Sequence, residues 1–298
     1  MSQKFSPETK RFRLIKHPVS IGDEIASRLL QVNPALIRDW LVAFLRDEII
    51  RRRNFKKAII GLSGGVDSAL VAYLCAAALG PKNVVAIRMP YRTSNPESLE
   101  HAQLVIDALD IETRTIEITG AVDGYLGAFE PDASGRRRGN VMARQRMIII
   151  FDQSERYRAL PVGTGNKSER LFGYYTWHAD DSPPINPIGD LYKTQVWELA
   201  RFMGVPSVIV DKPASADLIQ GQTDEGDFGI SYHKADKILA LLLRGYNRER
   251  IIESGFPANE VDLVKGKLDG THWKRHLPTT AMLSSTSIND YYLRPVDY

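Results

Sequence analysis

The stretch Ala58-Ile59-Ile60-Gly61-Leu62-Ser63-Gly64-Gly65-Val66-Asp67-Ser68-Ala69 decides the fold. A short apolar run closes on glycine, a polar turn follows, and an alanine-rich run over residues 69–79 ends at Gly80 and Pro81. That order predicts strand, turn and buried helix. In such a turn paired glycines let backbone N–H groups approach an anion at the helix N-terminus, and phosphate is the natural guest. Ser63 and Ser68 add hydroxyls, whereas Asp67 would repel a phosphate unless a divalent cation, Mg²⁺ for choice, lay between them. A tight turn with Ser68 or Asp67 as an ordinary helix cap explains the same residues without a ligand. The loop lacks the Gly-Lys-Ser/Thr of a Walker A sequence, which disfavours γ-phosphate transfer.

Working outward, residues 34–53 carry Leu36, Ile37, Trp40, Leu41, Phe44, Leu45, Ile49 and Ile50 at helical spacing and predict a long amphipathic helix. Downstream, strands are expected over 84–87, 113–118 and 158–162, and helices over 98–109, 140–155 and 192–203, the last closed by Gly204. The alternation predicts an α/β fold, a mostly parallel sheet covered by helices on both faces. Ligands of open sheets lie beyond the carboxyl ends of the strands, which directs attention to Ser63, Arg88 and Gly163. No linker, repeat or low-complexity tract divides the chain, so one domain is expected, with an N-terminal arm (1–33) and a C-terminal cover (251–298).

With 298 residues, 43% of them hydrophobic, the chain can bury a substantial core. Thirty-nine basic residues nearly balance 36 acidic ones, so charge makes no case for a nucleic-acid or membrane partner. Cys75 stands alone, which excludes a disulfide framework and any multi-cysteine metal site, and His178, His233, His272 and His276 show no zinc spacing. Residues 1–17 lack the apolar stretch of a secretory signal, and apolar runs such as 69–79 fall short of the roughly 20 residues that span a bilayer. A soluble protein of the reducing cytoplasm is expected.

The Ser63–Ser68 loop resembles that of the ATP pyrophosphatases, which cleave ATP to AMP and pyrophosphate. Further segments narrow the resemblance: Gly139-Asn140-Val141-Met142-Ala143-Arg144, Gly163-Thr164-Gly165-Asn166-Lys167-Ser168-Glu169, Asn186-Pro187-Ile188-Gly189-Asp190-Leu191-Tyr192-Lys193-Thr194, Lys212-Pro213-Ala214-Ser215-Ala216-Asp217 and Gln222-Thr223-Asp224-Glu225. In this order they are similar to the ammonia-dependent NAD synthetase family, with its adenine nucleotide alpha-hydrolase-like fold. The resemblance implies attack of the deamido-NAD carboxylate on the α-phosphorus of ATP, release of pyrophosphate, and displacement of AMP from the acyl-adenylate by ammonia. It also implies a homodimer. ATP contacts are implied for Gly61, Leu62, Ser63, Gly64, Gly65, Val66, Asp67, Ser68, Arg88, Thr164, Lys193 and Ser215, and Mg²⁺ ligation for Asp67 and Glu169. Asp67, Lys193, Asp217 and Asp224 become the catalytic candidates, the last two beside the ammonia with Glu225. Taken singly, Glu169 and Lys193 read equally as surface charges, Thr164 and Ser215 as caps, and Arg88 as a solubilising charge.

Contacts to the dinucleotide are implied for Asn140, Arg144, Trp177, Pro184, Trp273 and Lys274. Here the chain departs from the family. After Gly173-Tyr174-Tyr175-Thr176 the family lysine is Trp177, a later aspartate falls on Pro184, and a histidine falls on Trp273. Tryptophan removes a point charge and adds a stacking surface, so another acid such as nicotinate mononucleotide remains an alternative, with Asp180 or Asp181 replacing the lost carboxylate. Loops 91–97 and 214–228 are expected to act as lids over a water-sensitive adenylate. Free ammonia is the expected nitrogen donor, since the chain has no room for a glutamine-hydrolysing domain, and Cys75 reads as core. A tRNA-thiolating enzyme would need reactive cysteines and a basic face, and a nucleotide sensor would bind ATP without releasing pyrophosphate.

Overall fold

The computed structural model describes residues 23–215, 223–276 and 278–283. Helix α1 (Asp23–Leu30) is followed by α2 (Pro34–Arg46), whose N-terminus is closed by Asn33, the side chain accepting from Leu36 N, with Pro34 in the first turn. A π-helical turn, Asp47–Arg52, continues α2, so the helix expected over 34–53 is present with a wider last turn. Strand β1 (Lys57–Gly61) leads through the glycine loop to α3 (Val66–Leu79), then β2 (Val84–Arg88), α4 (Pro96–Leu109), β3 (Glu112–Thr115), α5 (Thr119–Phe129), α6 (Gly135–Tyr157) and β4 (Ala159–Pro161). Then come α7 (Lys167–Phe172), α8 (Lys193–Met203), α9 (Ser207–Val210), α10 (Asp224–Phe228), α11 (Tyr232–Leu243), α12 (Arg248–Glu253), α13 (Ala258–Gly270) and a 3₁₀ turn, His272–Arg275.

The sheet is parallel throughout, in the order β3-β2-β1-β4. Alternate residues of the central strands face opposite layers. Ala58, Ile60, Val84 and Ala86 pack with α2, α3 and α8, while Ile59, Val85 and Ile87 pack with Val122, Leu126, Met142 and Ile150 of α5 and α6. β3 stops short of the expected 118: Ile116 N and Ile118 N still bond to the carbonyls of Arg88 and Pro90, but Pro90 has no N–H to return. A third layer was not foreseen. Tyr232, Ile238, Leu239 and Leu241 of α11 form a separate core with Ala26 and Leu30 of α1, Leu171 and Phe172 of α7, and Val261 and Val264 of α13. Part of the segment read as an N-terminal arm is therefore a packed helix.

β2 and β4 flank β1 on opposite sides, so the loops leaving β1 and β4 diverge at their carboxyl ends and leave a cleft between them.

Candidate active site

Gly64 shapes the first wall of that cleft. Its φ is +83°, and a Cβ there would fall 2.1 Å from the carbonyl oxygen of Ser98, at the start of α4. Gly65 caps α3 without a side chain, and its N–H bonds to Ser63 Oγ at 3.3 Å. Ser68 Oγ donates to Gly65 O at 3.0 Å and accepts from Ser63 N at 3.2 Å, so the loop is closed by its own hydrogen bonds. With the loops after β2 and β4 it lines a cavity of about 1040 Å³.

Four elements bring charge to one point in this cavity. Lys193, the first residue of α8 and only 2% exposed, donates through Nζ to Asp67 Oδ2 and, at 3.4 Å, to Glu169 Oε1. Asn166, fully buried, links the two carboxylates: its backbone N–H donates to Glu169 Oε2 at 3.4 Å and its Nδ2 donates to Asp67 Oδ1 at 3.0 Å, while its Oδ1 caps α7 by accepting from Glu169 N at 2.9 Å. Asp224, the first residue of α10, is buried and accepts from Tyr232 Oη at 2.9 Å. Burial alone would lower the proton affinity of Lys193, but Asp67, Glu169 and Asp224 more than offset it and hold the ammonium above the usual lysine range. Burial raises Glu169, reinforced by the charge of Asp67, and burial also raises Asp224.

Three carboxyl groups crowd this one ammonium, and the mutual repulsion that helps raise Glu169 and Asp224 is of the kind a divalent cation offsets. The donors are hard oxygens, and among the described residues no three His, Cys, Asp or Glu side chains group closely enough to hold a metal alone. That arrangement fits Mg²⁺, which takes one or two carboxylates and completes its shell with phosphate oxygens and water.

The cavity lining includes loop residues 61–68, Thr164, Glu169, Lys193, Ser215 and Asp224. Arg88 is not brought into it. Its Nη1 donates to Gln103 of α4 at 2.8 Å, and its neighbours Ile87 and Met89, facing the other way, line the cavity instead. Asp217 lies outside the described residues. Beside the cavity, Asn140 accepts from Thr176 Oγ1, and Arg144 donates to the carbonyl of Trp177 at 3.0 Å. Trp177 meets Trp273 edge to face at 5.3 Å. Lys274 Nζ donates to the carbonyls of Gly173 and Tyr175, and Tyr175 reaches the cavity wall. Pro184 is exposed and away from the cavity, which Pro183, Asp180 and Asp181 line in its place.

Of the two expected lids, loop 91–97 is tied to the chain just ahead of the second one: Lys212 Nζ lies 3.0 Å from Glu97 Oε2. The second half of 214–228 is anchored, because Phe228 is wedged among Phe172, Tyr174 and Tyr232. Cys75 is core as expected, its thiol pushed up to about 12 by burial. Sequence reasoning did not single out Tyr232 or Asp236, although an acidic residue inside the apolar stripe of 232–243 was a signal open to it. Nor did it assign a role to Asn166, whose capping position three residues before Glu169 was visible.

A sequence model of the NAD synthase family matches residues 37–278. The NH(3)-dependent NAD(+) synthetase of Trichlorobacter lovleyi is 48% identical over 261 residues, 87% of this chain and 95% of the relative. The enzyme of the same name from Chlorobaculum parvum is 47% identical, covering 86% and 92%. Among solved structures, an NMN synthetase from Francisella tularensis superposes with a TM-score of 0.75 at 30% identity, over 84% of this chain and 99% of that one. An NH3-dependent NAD synthetase from Campylobacter jejuni in complex with the nitrate ion gives 0.73 at 30% identity, over 84% and 100%. With its parallel sheet, its glycine loop and these relatives across most of its length, the chain belongs to the NAD synthase family.

Proposed function

We propose that the protein is a ligase that amidates deamido-NAD with ammonia at the expense of ATP, giving NAD⁺, AMP and pyrophosphate. The convergence of Asp67, Glu169 and Lys193 beside the Gly64–Gly65 turn carries this reading, and relatives of that activity at 48 and 47% identity support it.

The loop amides and the hydroxyls of Ser63 and Ser68 cradle the phosphates of ATP, and Thr164 and Ser215 line the same wall. Asp67 and Glu169 hold Mg²⁺, which when bound supplies electrostatic stabilisation of the phosphate oxygens. Lys193, kept charged by its carboxylates, moves from them towards the phosphates and offsets charge as the P–O bond to pyrophosphate breaks. The acid's carboxylate oxygen bonds to the α-phosphorus and pyrophosphate leaves. Ammonia then adds to the acyl carbon, AMP departs, and nitrogen gives up a proton. In this reading Asp224, whose burial favours proton uptake, receives it, with Asp217 and Glu225 as further acidic residues of that segment. Asn140, Arg144, Trp177, Trp273 and Lys274 hold the dinucleotide beside the cavity. Arg88 and Pro184 have no such role in this reading. The working form is a cytoplasmic homodimer, without nucleic-acid or membrane partners. Among the described residues no helix is long and apolar enough to cross a membrane.

One observation favours a second acid. Trp177 and Trp273 offer a paired aromatic surface where the resemblance implies a lysine and a histidine, and an NMN synthetase is among the structural neighbours. A competition assay decides: with ATP, Mg²⁺, ammonium and equal amounts of deamido-NAD and nicotinate mononucleotide, NAD⁺ should dominate. Predominant formation of the amidated mononucleotide would overturn the leading assignment.

A further inference from the structure

Asp236 sits on α11, fully buried, outside the cavity wall. Its carboxylate gathers three hydrogen bonds from two other helices. Oδ1 accepts from Ser168 Oγ at 2.5 Å, and Oδ2 accepts from Thr194 N at 3.0 Å and Thr194 Oγ1 at 2.8 Å. Ser168 is the neighbour of Glu169 on α7, and Thr194 is the neighbour of Lys193 on α8. Ser168 Oγ, its proton given to Asp236, accepts in turn from Lys193 N at 2.9 Å. The ring Asp236–Ser168–Lys193–Thr194 is thereby closed.

α8 depends on this ring. The residue at its N-cap is Tyr192, which provides no side-chain acceptor for the first amides, and Gln195 Oε1 turns back to bond Tyr192 N. The amides of Lys193 and Thr194 are orphans of the first turn, satisfied by Ser168 and Asp236 from outside the helix. None of the three donors to Asp236 is charged, so hydrogen bonds, with a smaller electrostatic contribution from His233, maintain a buried carboxylate against its desolvation cost. A leucine or methionine would fill this space without that cost. What an apolar side chain lacks is the capacity to hold two helix starts at once.

We propose that Asp236 is a positioning residue: by tying the first turns of α7 and α8 together it sets Glu169 and Lys193 against Asp67. The inference rests on those three residues being the phosphate and Mg²⁺ site. Asp236→Asn keeps the volume but turns one acceptor into a donor. If its oxygen serves Thr194, its amide faces Ser168 Oγ, which already accepts from Lys193 N, and the serine hydroxyl loses its acceptor. The ring opens next to both functional side chains.

The test compares wild type with Asp236→Asn, Thr194→Val and Lys193→Ala. Steady-state pyrophosphate release is measured together with thermal unfolding and calorimetric binding of ATP with Mg²⁺ in the absence of the acid substrate. Small displacements of reacting groups cost up to roughly a hundredfold. Asp236→Asn should accordingly lower kcat by roughly ten- to a hundredfold and weaken ATP binding severalfold, leaving KM for the acid within about twofold. Thr194→Val, which removes a single hydroxyl donor, should show the same split at smaller size. A folded Asp236→Asn protein with wild-type kcat, or one whose only change is a lower unfolding temperature, overturns the proposal. Should that variant not fold, wild-type kcat in Thr194→Val overturns it instead. Lys193→Ala separates the two levels: undiminished pyrophosphate release there refutes the site itself, whereas a loss there with a silent Asp236→Asn refutes only the positioning role.

Discussion

Gly64 and Gly65 are adjacent and chemically identical, yet only one is irreplaceable. At Gly64 a side chain must adopt a φ of +83° and meets a backbone carbonyl that cannot yield. At Gly65 a Cβ meets only Ser63 Oγ at 3.4 Å, with φ at −86°. Gly64→Ala should therefore destabilise the protein by about 1–3 kcal/mol and abolish pyrophosphate release, while Gly65→Ala stays within about 1 kcal/mol of wild type by urea unfolding. The glycine pair was legible in the sequence, but the division of labour was not, because it depends on Ser98 arriving from another element. Arg88 shows the same limit: its position at the strand end was legible, but the face it takes depends on register. Asp236 carries a pH signature. Burial raises its carboxyl to about 6 from the ordinary 3.8, so the folded state holds a proton that the unfolded chain has released between those values. The contribution is stabilising when protonated and is lost as pH rises through that window, by about 3 kcal/mol at most for a shift from 3.8 to about 6. Subtracting the urea-derived stability of Asp236→Asn from that of wild type across pH 4–7 should show a difference that falls with rising pH over this interval. A flat difference would contradict it.

At the scale of elements, what could be read was what repeats. The period of α2, the runs of β1 and β2 and the alanine-rich α3 came through because burial on one or both faces writes a pattern into the chain. α5 and α11 did not. α5 carries Gly120, Gly124 and Gly127 and reads as loop until Val122 and Leu126 are seen against the sheet. α11 hides behind Asp236, since a buried acid breaks the apolar stripe that marks a helix. α1 is only eight residues long, below what propensity alone stabilises, and owes its order to packing on α11. α3 gives a direct check at this scale. It is apolar around most of its circumference, and Cys75 is buried in the core around it with a thiol raised to about 12. The native protein should leave a thiol reagent unreacted at about pH 8, where the thiolate fraction is negligible, and release one equivalent when unfolded in urea. Rapid labelling of the native state would mean that α3 opens locally.

At the scale of the molecule, the chemistry sits where two cores meet. Asp67 projects from the sheet-bound α3, whereas Glu169 and Asp224 belong to elements embedded in the helical layer around α11. α8 spans both, and Trp197 packs against each cluster while its ring meets Tyr232 edge to face at 5.8 Å. This junction was not legible from sequence, because the helical layer is assembled from α1, α7 and α10–α13, separated along the chain by the sheet, with no local pattern announcing the contact. Its consequence is that the two layers should unfold together, and circular dichroism and tryptophan fluorescence should trace one transition in urea. Removing the shared side chain tests the coupling. Trp197→Ala should cost about 3 kcal/mol, the lower end for a large aromatic because the ring is only partly buried. It should also reduce the dependence of stability on urea, as the helical layer starts to open before the sheet. Pyrophosphate release should fall in step with that opening, since Tyr232 supports Asp224 from the helical side. A variant that is destabilised but keeps the wild-type urea dependence and full activity when folded would show that the layers are held together elsewhere, through the ring around Asp236 rather than through Trp197.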